Sequence, residues 1–269
     1  MFMKRAFSAI LLALCPAVVG PAFAHDTWMT PERWAVSPGT TLTLDMTSGM
    51  AFPALDHAID PDRIERAFCR LGGKTSEIGQ RQKGSTSLRL TATLDVPGIA
   101  TLWVNLKPRV IELKPEQVGE YLEEINATEV VRKAWGGPGD QRVWREIYTK
   151  HSKTFVRVGE TNDRSWAEPT MMTLEFVPEI NPTTLLVGDE LRVRLMKNGT
   201  PLPDFSVGVV DAGHPHGVQR KTDADGRVVV HLDHAGLWLL RGTELRKSSA
   251  GEADWESDFT TLTIEVRPR

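Results

Sequence analysis

The chain has 269 residues, 41% of them hydrophobic and 25% charged, with a formal net charge of −3. A mildly acidic balance argues against a nucleic-acid partner. The length suffices to bury a sizeable core, as one large domain or two small ones.

The first 24 residues have a grammar of their own. Lys4-Arg5 is followed by a run from Ala6 to Val19 that is apolar apart from Ser8, then Gly20-Pro21 and the small-residue frame Ala22-Phe23-Ala24. This is the layout of a secretory signal peptide. The apolar run is too short to span a bilayer and no second run follows it. Cys15 does not make it a lipoprotein signal, because Leu14 is too bulky for that cut. We expect cleavage between Ala24 and His25 and export to the periplasm. The remaining 245 residues lose Lys4 and Arg5 and no acid, so their formal charge becomes −5. Cys69 is then the sole cysteine, and no internal disulfide is expected. A reactive thiol or a metal ligand is conceivable there, but its neighbours Phe68 and Leu71 favour a small buried hydrophobe.

Along residues 25–169, period-two alternation predicts strands at Thr41–Thr47 (Leu42, Leu44, Met46), at Ser87–Leu94 (Leu88, Leu90, Ala92, Leu94) and at Ala100–Leu106. The period then changes. Val118, Tyr121, Leu122 and Ile125, with Val130 and Val131 beyond, predict helix near 115–135, opened by Pro115 and Glu116 and stopped by Gly136-Gly137. Asp140 is placed to cap a second helix near 140–149, with Val143, Trp144, Ile147 and Tyr148 inward. Lys153–Gly159 returns to strand, and Glu160–Pro169 is polar and ends in proline, as a loop or linker does.

Residues 170–269 are all strand and turn. Asn198-Gly199 and Asp225-Gly226 supply the positive φ of tight hairpins. The expected fold class is therefore mostly β. One or two helices fall in the first half, and the second half is a β-sandwich of immunoglobulin or transthyretin type.

The chemistry centres on histidine. Once residues 1–24 are removed, His25 carries an α-amine beside its imidazole. The amine, with a reference pKa near ~8, and the ring Nδ1 can close one chelate around copper, nickel or zinc. The competing reading is that cleavage leaves some residue first and histidine stands there by chance. His57 lies beside Asp56 and Asp60 and offers a mixed nitrogen and oxygen set. His214 and His216, in "GHPHG", sit in a loop, since an extended His-x-His points its rings apart. His231, His234 and His151 read as solvated, His151 among cations. "DADG" opens like a calcium loop but lacks the closing acid. There is no Walker loop, no Gly-x-Ser-x-Gly and no His-Glu-x-x-His, so no enzyme class is indicated. Trp28, Trp34, Trp238 and Trp255 read as core, although Trp28 and Trp34 lie close enough to His25 to wall a site.

The segments "AHDTWMTP", "SGMAFPALDHAIDPDRI", "YTKHSKTFVRVG", "LLVGDELRVRLMKNGTPLPDFSVGVV", "KTDADGRVVVHLDHAGLWLLR" and "DWESDFTTLTIEV" occur in this order. Together they resemble a bacterial family with an unknown-function label, often described as nickel-uptake (NikM/NikK-like) periplasmic proteins. The resemblance covers the chain from His25 on. It implies an exported, mostly β protein whose second half is like a carboxypeptidase regulatory-like sandwich. It also implies capture or delivery of nickel or cobalt for a membrane transporter, and it places the family's leading His-x-x-Trp at His25 and Trp28. With no membrane segment in the mature chain, such a protein is an accessory. Three readings follow. One is a periplasmic accessory that binds nickel, cobalt or copper. Another is a metal-free module that binds a protein or glycan. The third, a copper histidine-brace oxygenase, is disfavoured by having only Tyr121 and Tyr148, both in predicted helices.

Overall fold

The computed structural model describes residues 25–136, 139, 142–249 and 251–269. The residues expected to form a signal peptide, Gly137 and the expected cap residue Asp140 lie outside the described residues. Among the described residues, strands form sheets of five, ten and four members.

The five-stranded sheet is built around Thr40–Gly49, with Asp26–Pro31 on one flank and Leu88–Leu94 on another, all antiparallel. Alternation does what the sequence asks. Leu42, Leu44, Met46, Leu88, Leu90 and Leu94 turn to one side and meet Ala67, Cys69, Leu102, Val104 and Leu106 of the ten-stranded sheet. Burying each large side chain contributes about 1.5–3 kcal/mol, so this layer is a principal source of stability. The four-stranded sheet packs on the ten-stranded one in the same way. Phe176, Leu191, Val193, Leu195, Val228 and Val230 meet Val207, Trp238, Leu240, Leu262 and Ile264. The architecture is thus two β-sandwiches sharing one long sheet.

A single strand, Trp144–Val158, joins the two halves. It pairs antiparallel with Gly98–Leu106 and parallel with Trp255–Val266. From His151 on both of its faces are covered: Val156 and Val158 belong to the first core and Phe155 to the second. There the strand loses the alternation that exposes it to pattern reading, and at its start the buried Glu146 stands where alternation would ask for an apolar residue. That corrects the helix expected near 140–149. Trp144 to Tyr148 opens this strand. Its β-branched and aromatic content (Ile147, Tyr148, Thr149, Thr154, Phe155, Val156) suits a sheet.

The helical region also differs in detail. It divides into α1 (Pro115–Glu124) and α2 (Glu129–Trp135). Asn126 takes a left-handed φ of 49°, and Thr128 caps α2 by accepting the Val131 N–H. Gly136, at φ 91°, ends α2 as expected. Val118, Tyr121, Leu122, Val131 and Trp135 cover Trp144 and Trp255, whose rings stack 4.4 Å apart.

The two turn motifs have different outcomes. Asn198-Gly199 forms the two-residue hairpin between Glu190–Lys197 and Thr200–Pro201. Asp225-Gly226 instead carries the chain from Val218–Lys221 in the ten-stranded sheet to Arg227–His231 in the four-stranded one. The Asp223 carboxylate accepts the Asp225 and Arg227 N–H groups. Gly226 is required twice over: its φ is 72°, and a Cβ there would lie 2.8 Å from the Leu202 nitrogen. Residues 160–169 are pinned, with the Arg70 guanidinium donating to the carbonyls of Ser165, Glu168 and Pro169.

Cys69 is buried, and burial pushes its thiol up to about 12. Because the thiolate is the reactive species, iodoacetamide at pH 8 should leave Cys69 unmodified in the folded protein and alkylate it in denaturant. Rapid native labelling, read by mass spectrometry, would refute its burial.

Candidate functional site

His25 stands directly before the Asp26–Pro31 strand. Asp26 pairs with Gly49 and His57 pairs with Ser48, so both histidines are delivered to the same end of the Thr40–Gly49 strand. The loop between is tied down by Thr47. Its buried hydroxyl donates its one proton to the Thr86 carbonyl at 2.8 Å, with the His57 carbonyl at 3.2 Å as the other acceptor in reach, and accepts the Asp56 N–H. Gly49 lets that loop close, since a Cβ there would lie 2.8 Å from Asp56 Cβ and 3.2 Å from the Trp28 ring. The result is that the His25 and His57 rings lie 5.7 Å apart, tilted by 49°.

The electrostatics around the pair are mixed. Asp56 Oδ1 lies 3.0 Å from His57 Nδ1. The Lys150 ammonium donates to the His25 carbonyl. Partial burial, then Lys150 and His57, pull His25 below its ordinary range against the opposing pull of Asp56 and Asp26. The shift favours the neutral imidazole, the form whose nitrogen lone pair can bind a metal.

His214 and His216 go elsewhere. Their loop follows Ser206–Val210 and folds around the buried Asp211, whose carboxylate accepts the Gly213 and His214 N–H groups. It also lies 3.1 Å from His214 Nδ1 and 3.4 Å from His234 Nε2. The His216 carbonyl accepts from Arg241, whose guanidinium also binds Asp26. Arg241 thus ties this loop to the first strand, over a small core of Trp28, Phe52, Val210 and Leu239. Among the described residues, no group of three or more His, Cys, Asp or Glu is disposed to hold a metal ion.

His231 is exposed, as alternation predicts. His151 is not. It is buried in the joining strand, with Nδ1 3.1 Å from Asn105 Oδ1 and Nε2 3.1 Å from Asp258 Oδ1. Asp258 continues to Arg246 and Glu244. The neighbouring Lys150 and Lys153 suggest a surface in the sequence, yet the strand runs through the middle of a sheet. Trp28, Trp238 and Trp255 are core, Trp28 packing edge-on against Phe52. Trp34 is half-buried. Lys150, which donates to the His25 carbonyl, and Arg241, which binds the neighbouring Asp26, carry no local sequence signal. They arrive from strands more than a hundred residues away.

Solved structures with some likeness include the D0-D1 domain of Intimin, 11% identical over 89% of this chain and 97% of that one, with a TM-score of 0.22. A second is the Bacteroides ovatus mixed-linkage glucan utilization locus SGBP-B in complex with a mixed-linkage heptasaccharide, 12% identical over 91% and 47%, at 0.22. A third is Salmonella alpha-2-macroglobulin mutant Y1175G, 14% identical over 98% and 16%, at 0.24. Likeness at this level carries no argument about this chain. No curated protein matches it. A family model does match, over residues 22–243, and it links the chain to no transport system. The chain belongs to that family, the domain of unknown function DUF4198.

Proposed function

We propose that this protein, once cut after Ala24, is a periplasmic accessory that captures or delivers a transition-metal ion, nickel, cobalt or copper, through His25. The observation that carries the reading is the pairing of the His25 and His57 rings, 5.7 Å apart, by two different strand pairings. The donor set suits such an ion. Two imidazoles and an α-amine are borderline nitrogen ligands, and the depressed His25 pKa favours its metal-binding form. The third donor, the α-amine, is a backbone group that exists only after cleavage, and the side chains alone supply two nitrogens. Among the described residues no helix is long and apolar enough to cross a membrane, which suits an accessory to a membrane transporter.

Protein beginning at His25 should bind one equivalent of Ni²⁺, Co²⁺ or Cu²⁺ by calorimetry. One or two extra residues ahead of His25 remove the amine from the chelate and should weaken binding by about a hundredfold, because one tooth of a two-toothed ligand is lost. His57→Ala should weaken it as well. Equal affinity with and without the extension would rule out the amine as a ligand.

A second reading, a metal-free module for a protein or glycan, has one observation in its favour. A cavity of about 880 Å³ opens between the α1–α2 connection and the Leu202–Ser206 segment, with Phe205 and Leu202 in its wall. Glycan binding by protein stripped of metal would favour it.

A further inference from the structure

A second cavity, of about 160 Å³, lies beside His57. Arg63, Arg109 and Lys150 line it, with the Tyr148 ring, Ile59 and Leu106 as its less polar walls. The one carboxylate in its lining, Asp60, is already engaged by Lys83. Three cations therefore face a small space with no free counter-charge among its lining groups.

The cations are held in place without being used up. The Arg63 guanidinium sits 5.7 Å from the centre of the Tyr148 ring, and one of its terminal nitrogens donates to the Lys107 carbonyl at 2.9 Å. Its Nε is buried and has no acceptor. Lys150 lies over the Tyr148 and Phe259 rings, 5.6 and 5.4 Å from their centres, and spends one of its three N–H groups on the His25 carbonyl. The Arg109 side chain makes no hydrogen bond or ion pair to any described residue, although, after Lys83, it helps to lower the Asp60 carboxyl. Fixed cations around a small concave space, with apolar walls between them, are the features that recognise an anion carrying a short carbon chain.

We propose that this cavity binds a small organic carboxylate through Arg63, Arg109 and Lys150, as the co-ligand that accompanies the metal ion at His25 and His57. The anion site stands on its own residues; its coupling to a metal rests on the metal-binding reading above. The two share His57, which lines the cavity and faces His25. A carboxylate seated there lies next to the paired imidazoles and offers a further oxygen donor beside them. The volume excludes a drug-sized or oligosaccharide ligand, which needs several hundred Å³.

The test is calorimetry or NMR titration of metal-free protein beginning at His25 with succinate, and with inorganic phosphate as the control. Succinate should bind and phosphate should bind at least about tenfold more weakly. Arg109→Glu, at an exposed position where folding is not at risk, should abolish succinate binding, and Arg109→Gln should weaken it about tenfold. Ni²⁺ should bind more tightly with succinate present, and Arg109→Glu should erase that gain. No succinate binding, or binding unchanged in Arg109→Glu, overturns the proposal. Phosphate binding as well as succinate overturns its organic-anion assignment. Metal binding without any succinate effect leaves the metal reading standing and overturns this one. Succinate binding that Arg109→Glu removes, in a protein that binds no metal, supports the anion site and overturns the coupling.

Discussion

Lys153→Met is expected to destabilise the fold by about 3–5 kcal/mol, the cost of leaving a buried charge without its partner. Lys153 lies in the joining strand with its side chain 1% exposed, and its ammonium donates to Glu175 and, at 3.0 Å, to the Phe176 carbonyl. Glu175 is equally buried. Its carboxylate also accepts the Thr170 N–H and hydroxyl and the Met171 N–H, at 2.8–2.9 Å. Burial raises the Glu175 carboxyl, but Lys153 and the Thr170 donors outweigh it, and the group lies below its ordinary range. It therefore stays ionised at neutral pH, and methionine would strand that charge between two sheets. The sign of the pH dependence follows. A carboxyl depressed in the folded state contributes stability that is full above its unfolded value near 4.5 and is lost as pH falls through the folded value. In urea melts at pH 7, Lys153→Met should lose a large part of the 5–15 kcal/mol typical of a domain. The double variant with Glu175→Gln removes the stranded charge and should recover at least about 1 kcal/mol. A double variant no more stable than Lys153→Met would contradict the ion-pair account.

What the sequence disclosed depended on how many faces of an element meet water. Thr40–Gly49 and Leu88–Leu94 are covered on one face, so Leu42, Leu44, Leu88 and Leu90 alternate and the strands are legible. Trp144–Val158 is covered on both from His151 on, and at its start it buries Glu146. Its buried residues include Glu146, His151 and Lys153, which read as polar surface in a linear pattern. The same strand hid three features at once: the sheet that joins the halves, the structural role of His151, and the Lys150 ammonium at the candidate site. His25 and His57 were each visible as candidates. Their meeting was not, because it depends on the Asp26–Gly49 and His57–Ser48 pairings and on Gly49 admitting the Asp56 loop. His214 and His216 were legible as a loop, and the loop's anchor is Asp211, which no spacing marked. Asp225-Gly226 was legible as a turn, but a turn motif does not say which sheet receives the next strand.

Glu146 is the other buried group whose replacement should have a large effect, and it is the reverse of Glu175: it has no cation. Its carboxylate is fully buried and accepts the Tyr121 hydroxyl at 2.8 Å, the Trp144 Nε1–H at 2.8 Å and the Ser257 hydroxyl. These three donors hold α1, the joining strand and the Trp255–Val266 strand together beneath the Trp144–Trp255 stack. Glu146→Leu would leave all three donors buried and unpaired, at about 1–3 kcal/mol each, and is expected to cost about 3–6 kcal/mol. Glu146→Gln should behave differently. Its carbonyl can face Trp144, and its amide can donate to the Ser257 or Tyr121 oxygen, since a hydroxyl both donates and accepts. Burial pushes the Glu146 carboxyl up, against the three donors that pull it down. A carboxyl raised in the folded state contributes stability that is full below its unfolded value near 4.5 and is lost as pH rises through the folded value. The glutamine variant carries no such titration, so the stability of Glu146→Gln relative to the parent should rise between pH 4.5 and the raised folded value. Thermal melts of parent, Glu146→Gln and Glu146→Leu across that range decide the matter. A difference between glutamine and parent that stays flat with pH would show that Glu146 is ionised in the fold as readily as in water, and a leucine variant as stable as the parent would show that its three donors have other partners.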